Sequence, residues 1–351
     1  MILIRTLHAW GGIALALLML LASVTGTLLV WKEDYVRLVT PEARVDFTPT
    51  PEALARIGEA IEAKLADYDI LNIQFATAAF PLSRVTLLDT NYAYVDIDGN
   101  VVDLWHMNDR PEEWLYDLHH RLLLEDLGLT IMGCAAVALA VLVILGVITF
   151  IPLRRHFSRG ILPANTSRLA LLSSHRNLGI LLALPLLLTL VTGFIQAFPF
   201  QVEEWLLDEI RGTQEYSDAM VVGIDEVTGE GTGDWLPALQ RTLAVFPGAD
   251  IRSAQVPSGF SAHRIIGVRQ PGDWNPNGLS LAYIDADLGY MDLRIDTRTL
   301  PLRERAYNSA YPLHTGKTGS VLYKLFLTLC GIGFACLSVF GLVSFIKSRL
   351  Q

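Results

Sequence analysis

Hydrophobic positions are concentrated in four long stretches of the chain, and polar positions dominate two long segments that separate the first stretch from the second and the third from the fourth. Each stretch holds the about 20 mainly apolar residues that a helix needs to cross about 30 Å of hydrocarbon. The first stretch is long for a signal peptide and lacks a small-residue cleavage pattern, so we expect it to be retained. The pattern predicts four membrane-spanning helices, at about residues 9–31, 129–153, 178–200 and 322–346.

The two long polar segments carry the pattern of small α+β domains. In the first segment Thr50 can cap a helix that starts with Pro51, because a threonine side chain accepts hydrogen bonds from the free N–H groups of a first helical turn. In the second segment Asp234 can do the same. Short runs rich in β-branched and aromatic residues follow and predict strands. These runs are residues 70–75, 84–88, 92–97 and 101–105 in the first segment and 251–256, 264–268 and 279–284 in the second.

The chain repeats this pattern once. The sequence Tyr-x-Leu-His ends at His119 before the second apolar stretch and at His314 before the fourth, and a glycine follows each histidine after 27 residues. His8 opens the first stretch and His175 the third, and each is followed 18 residues later by the glycine of a Val-Thr-Gly sequence. We therefore predict an internal tandem duplication of one unit (helix, α+β domain, helix), with the two copies running parallel.

Positive charge predicts the orientation of the helices, because lysine and arginine are enriched in cytoplasmic segments next to membrane helices. Arginines cluster in the short linker between the second and third helices, and others flank the two termini. We expect both termini in the cytoplasm and both long segments outside. The predicted domains are helix 1 (1–32), a first outer domain (33–118), helix 2 (119–153), a cytoplasmic linker (154–174), helix 3 (175–200), a second outer domain (201–313) and helix 4 with a tail (314–351).

Composition agrees with a membrane protein and limits its partners. Of the 351 residues 52% are hydrophobic and only 18% are charged, whereas a soluble protein has about 25% charged residues. The net charge of −9 comes mostly from the outer segments, which argues against nucleic acid as a partner. Cys134, Cys330 and Cys336 lie in apolar stretches and predict no disulfide framework. No Cys-x-x-Cys-His sequence is present, which excludes a covalently attached c-type haem.

Four of the eight histidines stand at corresponding places in the two copies. His8 and His175 are predicted at the cytoplasmic ends of the first and third helices, and His119 and His314 at the outer ends of the second and fourth. The predicted symmetry places the two members of each pair at the same depth in the membrane. Paired imidazoles on facing helices can hold an iron porphyrin, and two such sites can carry electrons across the bilayer. We therefore predict these four histidines as axial ligands of two haem irons.

Other interpretations stay open at this stage. A zinc or copper ion is the chief competitor of haem, although it favours carboxylate or thiolate ligands beside the imidazoles. His120 lies about 100° around a helix from His119 and could take its place. The glycine-rich sequence 229–233 follows no predicted strand, so we reject a nucleotide-binding loop there. Four cations could pair with haem propionates or anchor helices at the membrane surface: Arg121, Arg176, Lys317 and Lys324. Three histidines have no matching partner in the other copy: His106, His156 and His263.

The chain resembles the PepSY-associated transmembrane family over nearly its whole length. The resemblance is carried by Leu-His at the start of the first helix, Tyr-x-Leu-His before the second, Ser-His-Arg-Asn-Leu-Gly at the start of the third and Leu-His-Thr-Gly-Lys before the fourth. It implies a four-helix bundle in a bacterial inner membrane with two periplasmic α+β domains similar to PepSY domains. Family members that reduce ferric siderophores bind two b-type haems through histidines at these helix ends, which implies His8, His119, His175 and His314 as the ligands of two haem b groups.

Together these observations predict an inner-membrane di-haem b protein that moves electrons outward to a periplasmic ferric chelate, as a ferric-siderophore reductase does. No catalytic acid or base is expected, since reduction of Fe(III) to Fe(II) by itself weakens chelation by hard oxygen ligands. Some relatives fuse a flavin reductase module, and this chain carries no flavin or nicotinamide sequence, so we expect a separate electron donor, either cytoplasmic or a quinol. The alternatives are a non-redox protein whose PepSY-like domains bind a peptide or protease partner, and a divalent-metal transporter.

Overall fold

A computed structural model of the chain describes residues 1–157, 160–222, 233–259 and 261–350. These residues form two compact units. A helical bundle comprises Met1–Trp31, Trp114–Val202 and Ala310–Gln351, and a sheet unit comprises Lys32–Glu113 and Glu203–Ser309. The predictions made for residues 229–232 fall outside the described residues.

Four long helices make up most of the bundle. They contain 28, 26, 30 and 30 residues, so each is long enough, at about 1.5 Å per residue, to cross a membrane. All four are also apolar enough, which confirms the prediction of four membrane-spanning helices. In chain order the helices are α1 (Ile2–Leu29), α2 (Lys32–Val39), α3 (Pro51–Lys64), α4 (Pro111–Arg121), α5 (Glu125–Phe150), α6 (Arg168–Ala197), α7 (Pro199–Arg211), α8 (Gln214–Ala219), α9 (Trp235–Val245), α10 (Leu302–Asn308), α11 (Ala310–Thr315) and α12 (Val321–Leu350).

The long helices are arranged so that α1 and α6 face each other across the bundle. Helix α1 packs mainly against α5 and α12, and α6 packs mainly against the same two helices. Helix α6 begins at Arg168, earlier than the predicted boundary at residue 175. The reason is a side-chain cap: Oγ of Ser167 accepts a hydrogen bond from the backbone N–H of Ala170 at 3.3 Å. His175 therefore lies inside the helix rather than at its first residue.

His119 and His314 lie on short helices that are separate from the long helices following them. His119 belongs to α4, which ends before α5 begins, and His314 belongs to α11, which ends before α12. The predicted helix at 119–153 is therefore divided, because residues with left-handed backbone interrupt the helical hydrogen-bond ladder. The residues with positive φ at these two breaks are Leu122, Leu123 and Glu125 after α4, and Gly316 and Gly319 after α11.

The two long polar segments join in one antiparallel sheet of nine strands. The four strands of the first segment and the strands of the second meet where β1 pairs with β6, with Ile73 opposite Ala254. Sequence predicted a separate domain for each segment, but pairing β1 with β6 covers what would otherwise be an open edge on each half-sheet. The order across the sheet is β4-β3-β2-β1-β6-β7-β8-β9-β5. The strands are β1 (Ile70–Gln74), β2 (Ser83–Leu87), β3 (Asn91–Val95), β4 (Val101–His106), β5 (Met220–Val222), β6 (Asp250–Gln255), β7 (His263–Arg269), β8 (Ser280–Asp285) and β9 (Met291–Ile295).

One helix from each segment supplies the core of the sheet unit. The predicted cap of the first helix is confirmed, because Oγ1 of Thr50 accepts from the N–H of Ala53 at 3.3 Å. Asp234 does stand at the N-cap position of α9, but its side chain makes no capping hydrogen bond, so that part of the prediction is wrong. Buried Ile57 of α3 and Leu239 of α9 belong to a single hydrophobic cluster with residues from the inner face of the sheet. The seven predicted strands are confirmed to within two residues at each end, whereas β5 and β9 had not been predicted.

Candidate functional site: two pairs of facing histidines

The bundle brings the four predicted histidines together as two pairs. The ring centroids of His8 and His175, here called the first pair, are 6.2 Å apart, and the ring planes make an angle of 64°. The ring centroids of His119 and His314, the second pair, are 6.3 Å apart at an angle of 42°. The two pairs therefore have nearly the same spacing, although their members come from different helices.

The first pair is oriented by backbone carbonyl groups of the neighbouring helices. Nδ1 of His8 lies 3.0 Å from the carbonyl oxygen of Leu142 in α5, and Nδ1 of His175 lies 3.0 Å from that of Leu337 in α12. A carbonyl oxygen can only accept, so each Nδ1 carries the proton and donates it. The other ring nitrogen, Nε2, is then unprotonated and has a free lone pair in both residues.

In the second pair threonine hydroxyl groups, rather than backbone carbonyl groups, hold the proton on Nδ1. Nδ1 of His119 lies 2.8 Å from Oγ1 of Thr25, and Nδ1 of His314 lies 3.1 Å from Oγ1 of Thr192. Both hydroxyls already donate within their own helices, Thr25 to the carbonyl of Leu21 and Thr192 to that of residue 188, each at 2.8 Å. Each hydroxyl therefore accepts from Nδ1, which again leaves Nε2 as the unprotonated nitrogen.

A glycine on the adjacent helix makes room for each of the four rings. A Cβ at Gly26 would lie 2.9 Å from Cε1 of His119, and one at Gly193 would lie 3.0 Å from Cε1 of His314. The first pair has the same arrangement, with distances of 3.0 Å from Gly146 to His8 and 3.3 Å from Gly341 to His175. These are the glycines of the repeated sequences, and any larger residue would press on an imidazole held by its Nδ1 bond.

The spacing of each pair fits two imidazoles bound to one metal ion from opposite sides. A metal–nitrogen bond is about 2.0 Å and the ring centroid lies about 1.2 Å beyond the nitrogen, which gives a centroid separation of about 6.4 Å. The centroid separation and the unprotonated Nε2 atoms thus fit a bis-imidazole metal centre.

The surroundings of the pairs favour haem iron over a bare ion. Zinc and copper sites in proteins combine imidazole with thiolate, carboxylate or further imidazole ligands. In the described part of the chain, the only group of three or more His, Cys, Asp or Glu side chains positioned to hold a metal ion lies in the sheet unit. Two axial imidazoles without further protein ligands are what an iron porphyrin requires, since the porphyrin supplies the remaining nitrogens.

The two pairs lie far apart along the bundle. His8 belongs to the first pair, and Thr25 is bonded to His119 of the second pair. These two residues are 17 residues apart in α1, which corresponds to a rise of about 26 Å. His175 and Thr192 are also 17 residues apart in α6. This distance is most of the thickness of a hydrocarbon core of about 30 Å, so the pairs lie near opposite ends of the spanning helices.

His120 is not a member of either pair. Its ring stacks on that of Tyr116, with centroids 5.3 Å apart, and its Nε2 lies 3.4 Å from the carbonyl oxygen of Gln196. The side chain that meets His314 is His119, as the repeat predicted. Among the described residues, Nδ1 of His120 is buried and has no hydrogen-bond partner.

Among the four cations predicted as propionate partners, Arg176 and Lys324 make the following contacts with protein groups. The guanidinium of Arg176 donates to Oδ1 of Asn177 at 3.3 Å and to Oγ of Ser173 at 3.2 Å. Nζ of Lys324 lies 5.5 Å from the ring centroid of Trp31, a cation–π contact. A role with propionates stays a prediction for these residues and for Arg121 and Lys317.

Sequence reasoning missed the groups that orient the imidazoles. Thr25 and Thr192 stand in the repeated Val-Thr-Gly sequence, which had been noted only as a sign of duplication. The carbonyls of Leu142 and Leu337 have no side-chain signature, so only the structure reveals them. Of the unmatched histidines, His106 ends β4 and His263 begins β7.

Comparison with known proteins identifies the family. A search of curated protein sequences returned no match. The family model described as the PepSY-associated TM region matches residues 5–348, which is nearly the whole chain and includes all four paired histidines. The protein therefore belongs to the PepSY-associated transmembrane family and is a multi-pass membrane protein.

Proposed function

We propose that the protein is a di-haem b electron-transfer protein that reduces a ferric chelate, of the siderophore type, on the far side of a bacterial inner membrane. The observation that carries this proposal is the pair of bis-histidine arrangements, each with centroids about 6 Å apart and each with unprotonated Nε2 atoms. Both pairs lie in the membrane bundle and are separated along it. Such a layout suits passage of electrons and has no evident use in peptide binding.

In the proposed function the paired histidines bind haem, and the groups around them orient the imidazole rings. His8, His119, His175 and His314 would be the axial ligands, and a bound haem iron would supply a one-electron Fe(III)/Fe(II) couple at each pair. The Nδ1 hydrogen bonds fix each ring and increase the basicity of Nε2, which strengthens metal ligation. The glycine beside each ring has no Cβ and so leaves the space that the ring occupies.

Reduction of a chelated ferric ion needs no acid–base group from the protein. Hard oxygen donors bind Fe(III) much more strongly than Fe(II), so delivery of an electron by itself promotes release of iron. The family resemblance supports a siderophore as the chelate, and the absence of a flavin or nicotinamide sequence supports a separate donor, either a cytoplasmic reductase or a quinol.

The orientation and the internal duplication are parts of the same proposal. The arginine-rich linker supports cytoplasmic termini and a periplasmic location of the sheet unit. The matched contacts support a duplication: the two halves repeat both the carbonyl bond to a pair member and the threonine bond. The histidine and the threonine of each half are also the same 17 residues apart.

The proposal is tested by the haem content and spectrum of the purified protein. Protein expressed with a supply of haem should contain two non-covalent haems per chain with low-spin, bis-histidine absorption spectra. His175→Ala should lose one haem, His314→Ala should lose the other, and His120→Ala should keep both. A colourless protein, or one whose haem content does not respond to these substitutions, would contradict the proposal.

A further inference from the structure

Three side chains with metal-binding atoms lie together in the sheet unit, outside the histidine pairs. His263 on β7 stands directly opposite Asp285 on β8, and Asp292 lies on the neighbouring strand β9. Each offers one ligand atom, and these atoms lie within 4.8 Å of one another. The three residues lie on three consecutive strands, so strand pairing brings them together.

The imidazole of this cluster is held towards the carboxylates. Nε2 of His263 contacts Oδ2 of Asp292. On the other side of the ring Nδ1 lies 3.5 Å from Oγ of Ser261, and that oxygen also accepts from the backbone N–H of His263 at 3.2 Å. The side chains of His263 and Asp292 are 29% and 34% exposed, so solvent and ions can reach them. Metal-binding histidines are commonly oriented through a contact of their other ring nitrogen, and Ser261 is placed to provide one here.

Charge also favours an ion in this place. Two carboxylates at such short range repel each other. A divalent cation bound by all three groups would give a neutral site. One imidazole nitrogen with two carboxylate oxygens suits a first-row transition metal, whereas Mg²⁺ and Ca²⁺ prefer oxygen ligands alone.

The first half of the chain shows that the fold does not need this cluster. There Asp96 has the same role as Asp285: each accepts two backbone N–H bonds in the turn after its strand. Strand β2, which pairs with β3 as β7 pairs with β8, carries no histidine. Asp103 on β4 is instead neutralised by Arg110. The strand aspartate of the second half, Asp292, therefore contacts the imidazole of His263, whereas Asp103 of the first half contacts the guanidinium of Arg110.

From these contacts we infer that His263, Asp285 and Asp292 form a binding site for a divalent first-row transition-metal ion, with water in the remaining coordination positions. The site is independent of the histidine pairs of the bundle. It depends on the two carboxylates for charge and on the imidazole for selectivity against Mg²⁺ and Ca²⁺.

The test is a titration of the full-length, tag-free protein in detergent after treatment with a chelator. Free Mn²⁺ gives a six-line EPR signal at room temperature that is lost on binding, so binding is counted directly. We expect one saturable Mn²⁺ per chain, displaced by Zn²⁺ and not by equal concentrations of Mg²⁺. Asp292→Asn and His263→Leu should each weaken binding at least about tenfold.

A matched control distinguishes this site from general binding to acidic surface. Asp96→Asn makes the same change in the turn of the first half and should leave Mn²⁺ binding unchanged. Asp285→Asn keeps the Oδ1 acceptor of the turn, so it should weaken binding without unfolding the sheet, which circular dichroism checks. The inference is overturned if binding is not saturable at one ion per chain, or if Asp292→Asn, His263→Leu and Asp285→Asn bind as tightly as the unmodified protein.

Discussion

Helices α4 and α11 bring His119 and His314 to the same contact, but the backbone after each helix is built differently. After α11 the residues with positive φ are Gly316 (78°) and Gly319 (79°), and glycine adopts this conformation at little cost. After α4 three non-glycine residues take it, with φ of 54°, 59° and 50° at Leu122, Leu123 and Glu125. A left-handed conformation costs such residues about 1–2 kcal/mol each.

The long helix that follows compensates in a different way in each case. A Cβ at Gly128 of α5 would lie 1.5 Å from the carbonyl oxygen of Arg121, so only glycine allows α5 to come this close to the end of α4. In α12 the hydroxyl of Tyr323 donates to the carbonyl oxygen of Leu313, next to His314, at 2.7 Å. One histidine is thus positioned by a strained turn and close backbone packing, and the other by a relaxed turn and a side-chain hydrogen bond. The position of the pair is therefore defined by tertiary contacts more than by local sequence.

The largest effect is expected from Gly128→Ala. The added methyl group would collide with backbone that cannot move without displacing α4, so we expect loss of the haem proposed for the second pair and destabilisation by about 3 kcal/mol. Haem content per chain is the measurement. Gly12→Ala is the control, because a Cβ at Gly12 has nothing within 4 Å and should leave both haems in place. Full haem content in Gly128→Ala would show that the close packing does not position His119.

Substitution of the glycines that face the rings should have a graded effect. A Cβ at Gly26 would lie 2.9 Å from His119, whereas one at Gly341 would lie 3.3 Å from His175. Overpacking costs about 1–3 kcal/mol, so Gly26→Ala should weaken haem retention at the second pair by about tenfold or more. Gly341→Ala should have a smaller effect at the first pair. Transfer of haem to apomyoglobin measures both, and the reverse order would contradict the role assigned to these contacts.

Tyr323→Phe should have a moderate effect. It removes one hydrogen bond to the carbonyl of Leu313, worth about 1 kcal/mol, and should therefore raise the rate of haem loss from the second pair about fivefold. The first pair should be unaffected. Tyr35→Phe serves as a control in the sheet unit, where Tyr35 is 39% exposed. Equal rates of haem loss in the two variants would show that the hydroxyl of Tyr323 does not help to position His314.

The smallest effect is expected from Leu123→Gly, and its sign is opposite. Glycine relieves the left-handed strain at φ 59° but gains freedom in the unfolded chain, so the net stabilisation should be at most about 1 kcal/mol. Leu123 is 38% exposed, so little packing is lost. Gly316→Ala introduces strain at the matching turn and should lower the midpoint of thermal unfolding. A lower midpoint in Leu123→Gly as well would mean that the turn after α4 is not strained.

The sequence allowed prediction of the histidine pairs because their signal lies in spacing. In both copies a histidine and a glycine stand at the same separation in an apolar stretch, and this repeat identifies both the helix and the histidine. The repeat also indicated His119 rather than His120 as the partner of His314. The break after α4 could not be predicted, since leucine and glutamate favour right-handed helix and the close approach of Gly128 to the end of α4 has no sequence signature.

The single sheet escaped prediction for a related reason. Alternating residues identify a strand and its buried face, but both edges of a strand look alike in sequence, so nothing indicated that β1 would pair with β6. The cluster of His263, Asp285 and Asp292 also escaped prediction. In the sequence His263 is only a histidine without a counterpart in the other copy, because the two aspartates that surround it come from other strands.

The proposed function requires the two histidine pairs to act in series, because electrons must pass both sites to cross the bilayer, and vesicles test this requirement most directly. Protein is reconstituted with a reductant inside and a membrane-impermeant ferric chelate outside, and the formation of Fe(II) outside is followed by stopped flow. We predict that His175→Ala and His314→Ala each lower the rate to that of protein-free vesicles, whereas His120→Ala retains the rate of the unmodified protein. Retention of the full rate by both His175→Ala and His314→Ala would contradict the account.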